Sequence, residues 1–408
     1  MNALTDPHST DSTTAAWLRT HGLSPLVIRQ RTLLPIVQGG MGVGISAHRL
    51  AGTVAALGGM GTIASIDLRH HHPDLLARTR GLRHNGQARA VVDAANREAL
   101  AREIAAARSL SGGRGMLAVN VMRAVSDYSH YVTQSLASGI DALVVGAGLP
   151  LDLPDLAADH PDVALIPILS DARGIQLVIK KWERKHRLPD AIVIEHPRHA
   201  GGHLGASRLE DVAHPRFDFE QVLPETLDFL RSAGLEGRIP LIAAGGIRTH
   251  EEIRRLQSLG AAGVQLGTPF AVTQECDAHP VFKQVLAEAG PEDLVTFTSV
   301  AGLPARAVAT PWLTHYLRFE AKLKSLARPK PRCTLLFDCL AQCGLRDGKA
   351  EWGQFCIDTQ LAAALRGDLR KGLFFSGAAG RLPFGRQIRS VRELLERLLG
   401  GALPLGVQ

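Results

Sequence analysis

Eight short, nearly continuous apolar runs, separated by amphipathic segments over roughly 250 residues, predict an α/β fold: a closed (β/α)8 TIM barrel. The runs are continuous rather than alternating, as expected where both faces of a parallel strand are buried. A GxGxxG fingerprint after the first run is missing, which argues against an open, doubly wound sheet.

The first strand is read in "LPIVQ" (34–38) and the second in "MGTIAS" (60–65), with the helical segment "AHRLAGTVAAL" between them. Next comes the longest interruption, 66–98, an insertion long enough for an extra helix over the barrel mouth. Its His70, His71 and His72 read as a solvated triplet, because adjacent side chains diverge and suit one metal ion poorly. Strands follow in "MLAVNVM" (116–122), "DALVVGAG" (141–148), "VALIPILS" (163–170), "DAIVIEH" (190–196), "IPLIAAGG" (239–246) and "AGVQLGTPF" (262–270). Between the last two, Thr249 is a helix cap with Glu252 three residues on, and Gly260 is the stop. Late in the chain, Ile388, Val391, Leu394, Leu395, Leu398 and Leu399 share one helical face, which Gly400 ends.

Three regions follow: a flexible N-terminal tail (1–24), the barrel (25–320), and a mainly helical, cysteine-containing extension (321–408). With 45% hydrophobic and 21% charged residues the chain is ordinary globular material. No run approaches 18 apolar residues, and the polar opening lacks the apolar core of a signal peptide, so a cytoplasmic protein is expected. Residues 321–408 carry 15 Lys and Arg against 7 Asp and Glu, a net of +8, so the rest holds about −1 of the +7 total. That segment reads either as a solvated basic face or as a docking surface for an acidic partner. No recognition motif or stacking aromatic series points to nucleic acid.

Barrel enzymes carry their chemistry at the C-terminal strand ends, and here those ends are rich in glycine: "QGGMGVG", "GAG", "HAGGHLG", "AGGIRT" and "LGTPF". Glycine at five of them suggests a large flat ligand lying against backbone. Gly245–Gly246 before a helix start, and Gly267–Thr268 about twenty residues on, match the barrel phosphate site in position.

In this order "LPIVQGGMGVGIS", "LAVNVM", "HAGGHLG", "IPLIAAGGIRT" and "GVQLGTPF" resemble the nitronate monooxygenase (2-nitropropane dioxygenase) family, over about residues 30 to 275. That family includes FMN-dependent barrels and is close to the FMN-containing enoyl-acyl-carrier-protein reductases. The resemblance implies FMN, its phosphate on Gly245, Gly246, Gly267 and Thr268. It sets Gln38, Gly39, Gly40 and Met41 along the isoalloxazine ring and Asn120 near its edge. His203 matches the family's active-site histidine, and Gly201 and Gly202 would let the backbone approach the flavin. The family commonly has an acidic residue before this motif, where this chain has His199; Glu195, His196 and Arg198 precede it and would bind an anionic substrate or bond to the loop.

Cys333, Cys339, Cys343 and Cys356 are spaced C-x5-C-x3-C-x12-C, unlike the paired C-x2-C of zinc knuckles. Four thiolates in 24 residues suit one [4Fe–4S] cluster; zinc and unligated thiols are the alternatives. The pattern is similar to the cluster motif of old-yellow-enzyme relatives such as dienoyl-CoA reductases, whose first spacing is tighter. Cys276 reads as a buried hydrophobe. The combined reading is an FMN-dependent oxidoreductase acting on small nitronates or nitroalkanes. The rival is an FMN and iron–sulfur ene- or quinone reductase fed by NAD(P)H or a ferredoxin-like acidic carrier. An inosine-monophosphate-type dehydrogenase is disfavoured because the loop after the sixth strand has no cysteine. A non-catalytic binding or zinc scaffold, the remaining reading, predicts a colourless protein.

Overall fold

The computed structural model describes residues 7–82, 86–330, 333, 339–377 and 382–404. Eight parallel strands close a barrel: β1 (Ile36–Gln38), β2 (Met60–Ala64), β3 (Met116–Met122), β4 (Ala142–Gly146), β5 (Ala164–Leu169), β6 (Ile192–Glu195), β7 (Leu241–Ala244) and β8 (Gly263–Leu266). Each falls inside one of the eight apolar runs, and β8 pairs with β1 to complete the circle.

Why the runs are continuous is visible in the two sides of the wall. Val37, Met60, Met116, Ala118, Ala142, Val144, Ala164, Ile166, Val193 and Ile242 fill the interior. Their sequence neighbours Leu117, Val119, Leu143, Val145, Leu165, Ile192, Ile194 and Leu241 pack outward beneath the helices. A hairpin, Leu26–Ile28 with Arg31–Leu33, plugs the N-terminal end by driving Leu26, Ile28 and Leu33 into the interior cluster.

Period-two alternation then decides what reaches the open end. Continuing the inward series brings Gly39, Ala64, Asn120, Gly146, Ile168, Glu195, Ala244 and Gln265 to the mouth. Gln38 has the opposite parity, which corrects its predicted place beside the ring. It is fully buried, and its Oε1 accepts from the Thr62 N–H (2.9 Å) while its Nε2 donates to the Thr62 carbonyl (3.1 Å) and to that of Gly39. The carboxamide thus bridges β1 and β2, which share a single register pair.

The surroundings differ from expectation in three places. Residues Pro7–Thr20 form a helix whose Leu18 is buried in the main core, rather than a frayed tail. The insertion after β2 contributes helices Pro73–Thr79 and Gly86–Ser111, whose Leu75, Leu100 and Ile104 pack on the outer wall rather than over the mouth. Residues beyond 320 join the same body: Leu313 and Tyr316 pack with Phe355, Ile357 and Leu373, and helix Val391–Leu399 buries Val391, Leu394, Leu395, Leu398 and Leu399 in the barrel's core. As read from the sequence, Gly400 ends that helix in the left-handed region (φ +86°), and Thr249 and Glu252 form a capping box. No described helix is long and apolar enough to cross a membrane.

If Gln38 is an inter-strand tie, Gln38→Leu leaves a buried N–H and carbonyl unpaired and should cost about 1–3 kcal/mol. Chemical denaturation should show that loss with the bound-flavin content of the folded protein unchanged; lost flavin at full stability would return Gln38 to the cavity wall.

Candidate active site

One cavity of about 700 Å³ opens at the C-terminal strand ends, within the range that encloses cofactor-sized ligands. Gly39, Gly40, Met41, Asn120, Gly201, Gly202, His203, Gly245, Gly246, Gly267 and Thr268 all line it, so eleven predicted residues far apart in sequence converge. From the extension come Cys339, Leu340, Ile357, Asp358, Leu361, Phe375 and Gly377, which form the wall that sequence reasoning missed.

At one corner the strand ends are dense in hydrogen-bond donors. Gly245 and Gly246 adopt positive φ (+108° and +76°), a conformation that favours glycine. Among the described residues, the backbone N–H groups of Gly246, Ile247, Gly267 and Thr268 meet no protein acceptor. Unpaired donors on a cavity wall are the signature of an anion seat. The following helix, His250–Ser258, does not extend that seat, because Glu252 accepts from the N–H groups of Arg248 (2.7 Å) and Thr249 (3.1 Å). His199 packs its ring against Gly246, filling the place where an acidic side chain was expected; burial lowers its pKa to about 4.

Gly40 and Gly201 are fixed by close contacts within the protein. A Cβ on Gly40 would collide with the Asn120 side chain, whose Nδ2 donates to the Val144 carbonyl (3.1 Å). On Gly201 it would collide with the backbone of Ser376–Gly377. The backbone that packs where a Gly201 Cβ would stand is therefore the chain's own, while Gly201 itself lines the cavity. Gly202 has φ +72° and pairs with Arg306.

His203 sits on the edge of a three-stranded antiparallel sheet in which Gly202–His203 pairs with Pro304–Val308, itself paired with Leu294–Thr298. Its Nε2 lies 3.0 Å from Ser299 Oγ. Ser299 Oγ also accepts from the Ala301 N–H (3.2 Å), which leaves it one lone pair and its own proton for the hydrogen bond with His203 Nε2. Burial lowers the His203 pKa to about 4, so the ring is neutral near pH 7. Arg306 clamps the loop that delivers it, donating to the carbonyls of Arg198 (2.7 Å) and Ala200 (2.9 Å). His196 bonds to Asp218 (3.1 Å) and faces that loop, not the cavity. Glu195 does reach the cavity, beside Gly205 and Ser170, and burial raises its carboxyl from the ordinary 4.5 to about 7. Ser299, Ser170 and Gln265 were not singled out from the sequence.

The histidine triplet diverges as read, but its rings are paired rather than solvated. His70 lies 3.1 Å from Asp67, His71 bonds to the Gly44 carbonyl (2.8 Å), and His72 lies 3.0 Å from Glu103. Asp67, His70 and Asp358 bring three ligand atoms within 4.8 Å of one another, with Arg69 already donating to Asp67 at 2.6 Å. Among the described residues the four late cysteines form no such tight group, and none of them is in a disulfide. Cys276 is buried, as expected, and its thiol is pushed up to about 12 by that burial.

Comparison with known proteins agrees with this architecture. A probable nitronate monooxygenase of Bacillus subtilis is 34% identical over 131 residues, covering 32% of this chain and 35% of that one. The chain spans between about a third and about half of the length of the first curated relatives it matches (35% and 55%). Two solved structures share the fold: FabK from Thermotoga maritima (TM-score 0.60, 21% identity, 90% of this chain and 91% of that one) and nitroalkane oxidase from Streptomyces ansochromogenes (0.59, 20%, 90% and 94%). The family model described as nitronate monooxygenase matches residues 25–401, and the chain belongs to that family.

Proposed function

We propose that this chain is an FMN-dependent oxidoreductase that oxidises small nitronates, with oxygen as the electron acceptor. The observation that carries the reading is the pairing, in one cavity, of unpaired backbone N–H groups at the ends of β7 and β8 with a neutral histidine at the end of the loop after β6. The donors of Gly246, Ile247, Gly267 and Thr268 suit a phosphate dianion. Gly39, Gly40, Met41 and Asn120, on the adjoining wall, would flank the ring. When bound, FMN supplies the acceptor for the substrate's electrons and hands them to oxygen.

His203 defines which form of substrate is used. A base with a pKa of about 4 is poorly matched to abstracting a carbon-bound proton near pH 7. In our reading Ser299 donates to Nε2 and fixes the neutral ring, whose Nδ1–H donates to an oxygen of a pre-formed nitronate and orients it. Small anionic nitronates are therefore preferred over neutral nitroalkanes. A second reading, reduction of a conjugated double bond or quinone with electrons from NAD(P)H or a one-electron carrier, is favoured by one observation: Cys339 stands on the same cavity wall.

The purified protein should release FMN and consume oxygen with an alkyl nitronate faster than with the parent nitroalkane at pH 7. His203→Ala should retain FMN and lose about a hundredfold or more in kcat/KM for the nitronate; unchanged kinetics would remove His203 from the reaction. Flavin reduction by NAD(P)H, with turnover of a quinone and none of a nitronate, would favour the second reading.

Glu195 sets a pH dependence of stability. Because the folded state raises its pKa from 4.5 to about 7, its contribution is fully present below pH 4.5 and is lost as pH rises through about 7. Glu195→Gln should abolish that loss and exceed the wild type by about 2–3 kcal/mol at pH 8, read as Tm against pH; parallel curves for the two proteins would contradict the assignment.

A further inference from the structure

The extension brings a motif to the cavity that nitronate oxidation does not use. Cys339 lines the cavity that holds His203 and Gly245. Cys339 and Cys343 pack on the apolar cluster built by Phe297, Val300, Leu340, Phe355 and Ile357, whose last two members flank Cys356 in sequence. Cys333, Cys343 and Cys356 all lie within electrostatic reach of the Cys339 thiol, so the four cysteines share one neighbourhood next to the cavity. Thr359 Oγ1 donates to Cys356 Sγ (3.2 Å), a hydrogen bond of the kind that tunes a metal-bound thiolate.

We propose that Cys333, Cys339, Cys343 and Cys356 ligate one [4Fe–4S] cluster on the cavity wall, which delivers electrons to the flavin from a small acidic one-electron carrier; the delivery rests on the FMN reading above. Among the described residues the sulfurs are not drawn together as a single zinc ion would require. A single zinc ion, with Zn–S bonds of about 2.3 Å, would draw its thiolates to roughly 3.8 Å from one another. No three of these sulfurs meet even a 4.8 Å limit. A cube of four irons, each corner holding one thiolate, needs the wider arrangement. A cluster carrying four thiolates is anionic, and the segment around it is the basic part of the chain, with 15 Lys and Arg between 321 and 408. Lys322, Arg328, Lys330, Arg370 and Lys371 are exposed there with no carboxylate partner among the described residues, which suits an acidic carrier. Each reduced carrier gives up one electron and is oxidised. Two such deliveries, with two protons from solvent, reduce one flavin by two electrons.

The full chain, purified without oxygen after iron-supplemented expression, should contain about four iron and four sulfide atoms per chain, and give a paramagnetic resonance signal on reduction. Cys339→Ser and Cys356→Ser should lose both, and Cys276→Ala should keep them. Flavin without iron, or one zinc per chain, overturns the cluster and leaves the FMN reading standing. Iron and sulfide without flavin do the reverse. The wild-type assay decides even if a serine variant fails to fold. For the delivery step, a reduced bacterial ferredoxin should bleach the flavin in the wild type at least tenfold faster than in Cys339→Ser, with dithionite reducing both; equal rates would overturn it.

Discussion

The mouth of this barrel depends on one close backbone contact, that of Ala200–Gly201 with Ser376–Gly377. There is no room for a Cβ on either Gly201 or Gly377, so both chain segments must present bare backbone. From the contact outward, Phe375 bridges to Ala307 and Gly377 donates its N–H to Thr268 Oγ1 (3.2 Å). The contact therefore ties the loop bearing His203, the three-stranded sheet next to Ser299 and the corner at β8 to the C-terminal extension. A site assembled from strand ends would otherwise be open to water on the side where Leu340, Ile357 and Leu361 now stand.

Burial under this wall determines the charge states inside. His199 and His203 both lose basicity because a charged imidazole would be stripped of water, and Glu195 gains a proton affinity near pH 7 for the same reason. The result is a cavity whose fixed functional groups are mostly neutral donors, suited to receiving anions rather than supplying them. Glu252 keeps its negative charge outside the anion corner by turning to the backbone of its own helix cap.

Much of this was legible in the sequence, and the physical reasons for the rest are specific. Strand identity is local: an uninterrupted run such as "MLAVNVM" can only be satisfied with both faces buried, and all eight runs became strands. The glycine corner was also readable, since Gly245 and Gly246 are local backbone requirements. The family resemblance set Gln38 beside the ring with its three neighbours, but strand parity separates them: Val37 points inward, so Gln38 points into the wall. The same counting would have picked out Gln265, two residues beyond the inward-facing Gly263. Ser299 and Gly377 leave no such trace. Their roles arise only when strands 96 and more residues away are paired, and no period or motif spans that separation. Helix Pro7–Thr20 was read as tail because its polar composition hides the residues that anchor it, Trp17 and Leu18.

The claim on which the account rests is that the corner of unpaired N–H groups at β7 and β8 holds the phosphate of a flavin mononucleotide. Titrating flavin-free protein with FMN and with riboflavin, which differ by that phosphate alone, tests it directly. The account predicts that FMN binds at least a hundredfold more tightly, a difference of about 2.7 kcal/mol. Equal affinities for the two, or binding of neither, would contradict it.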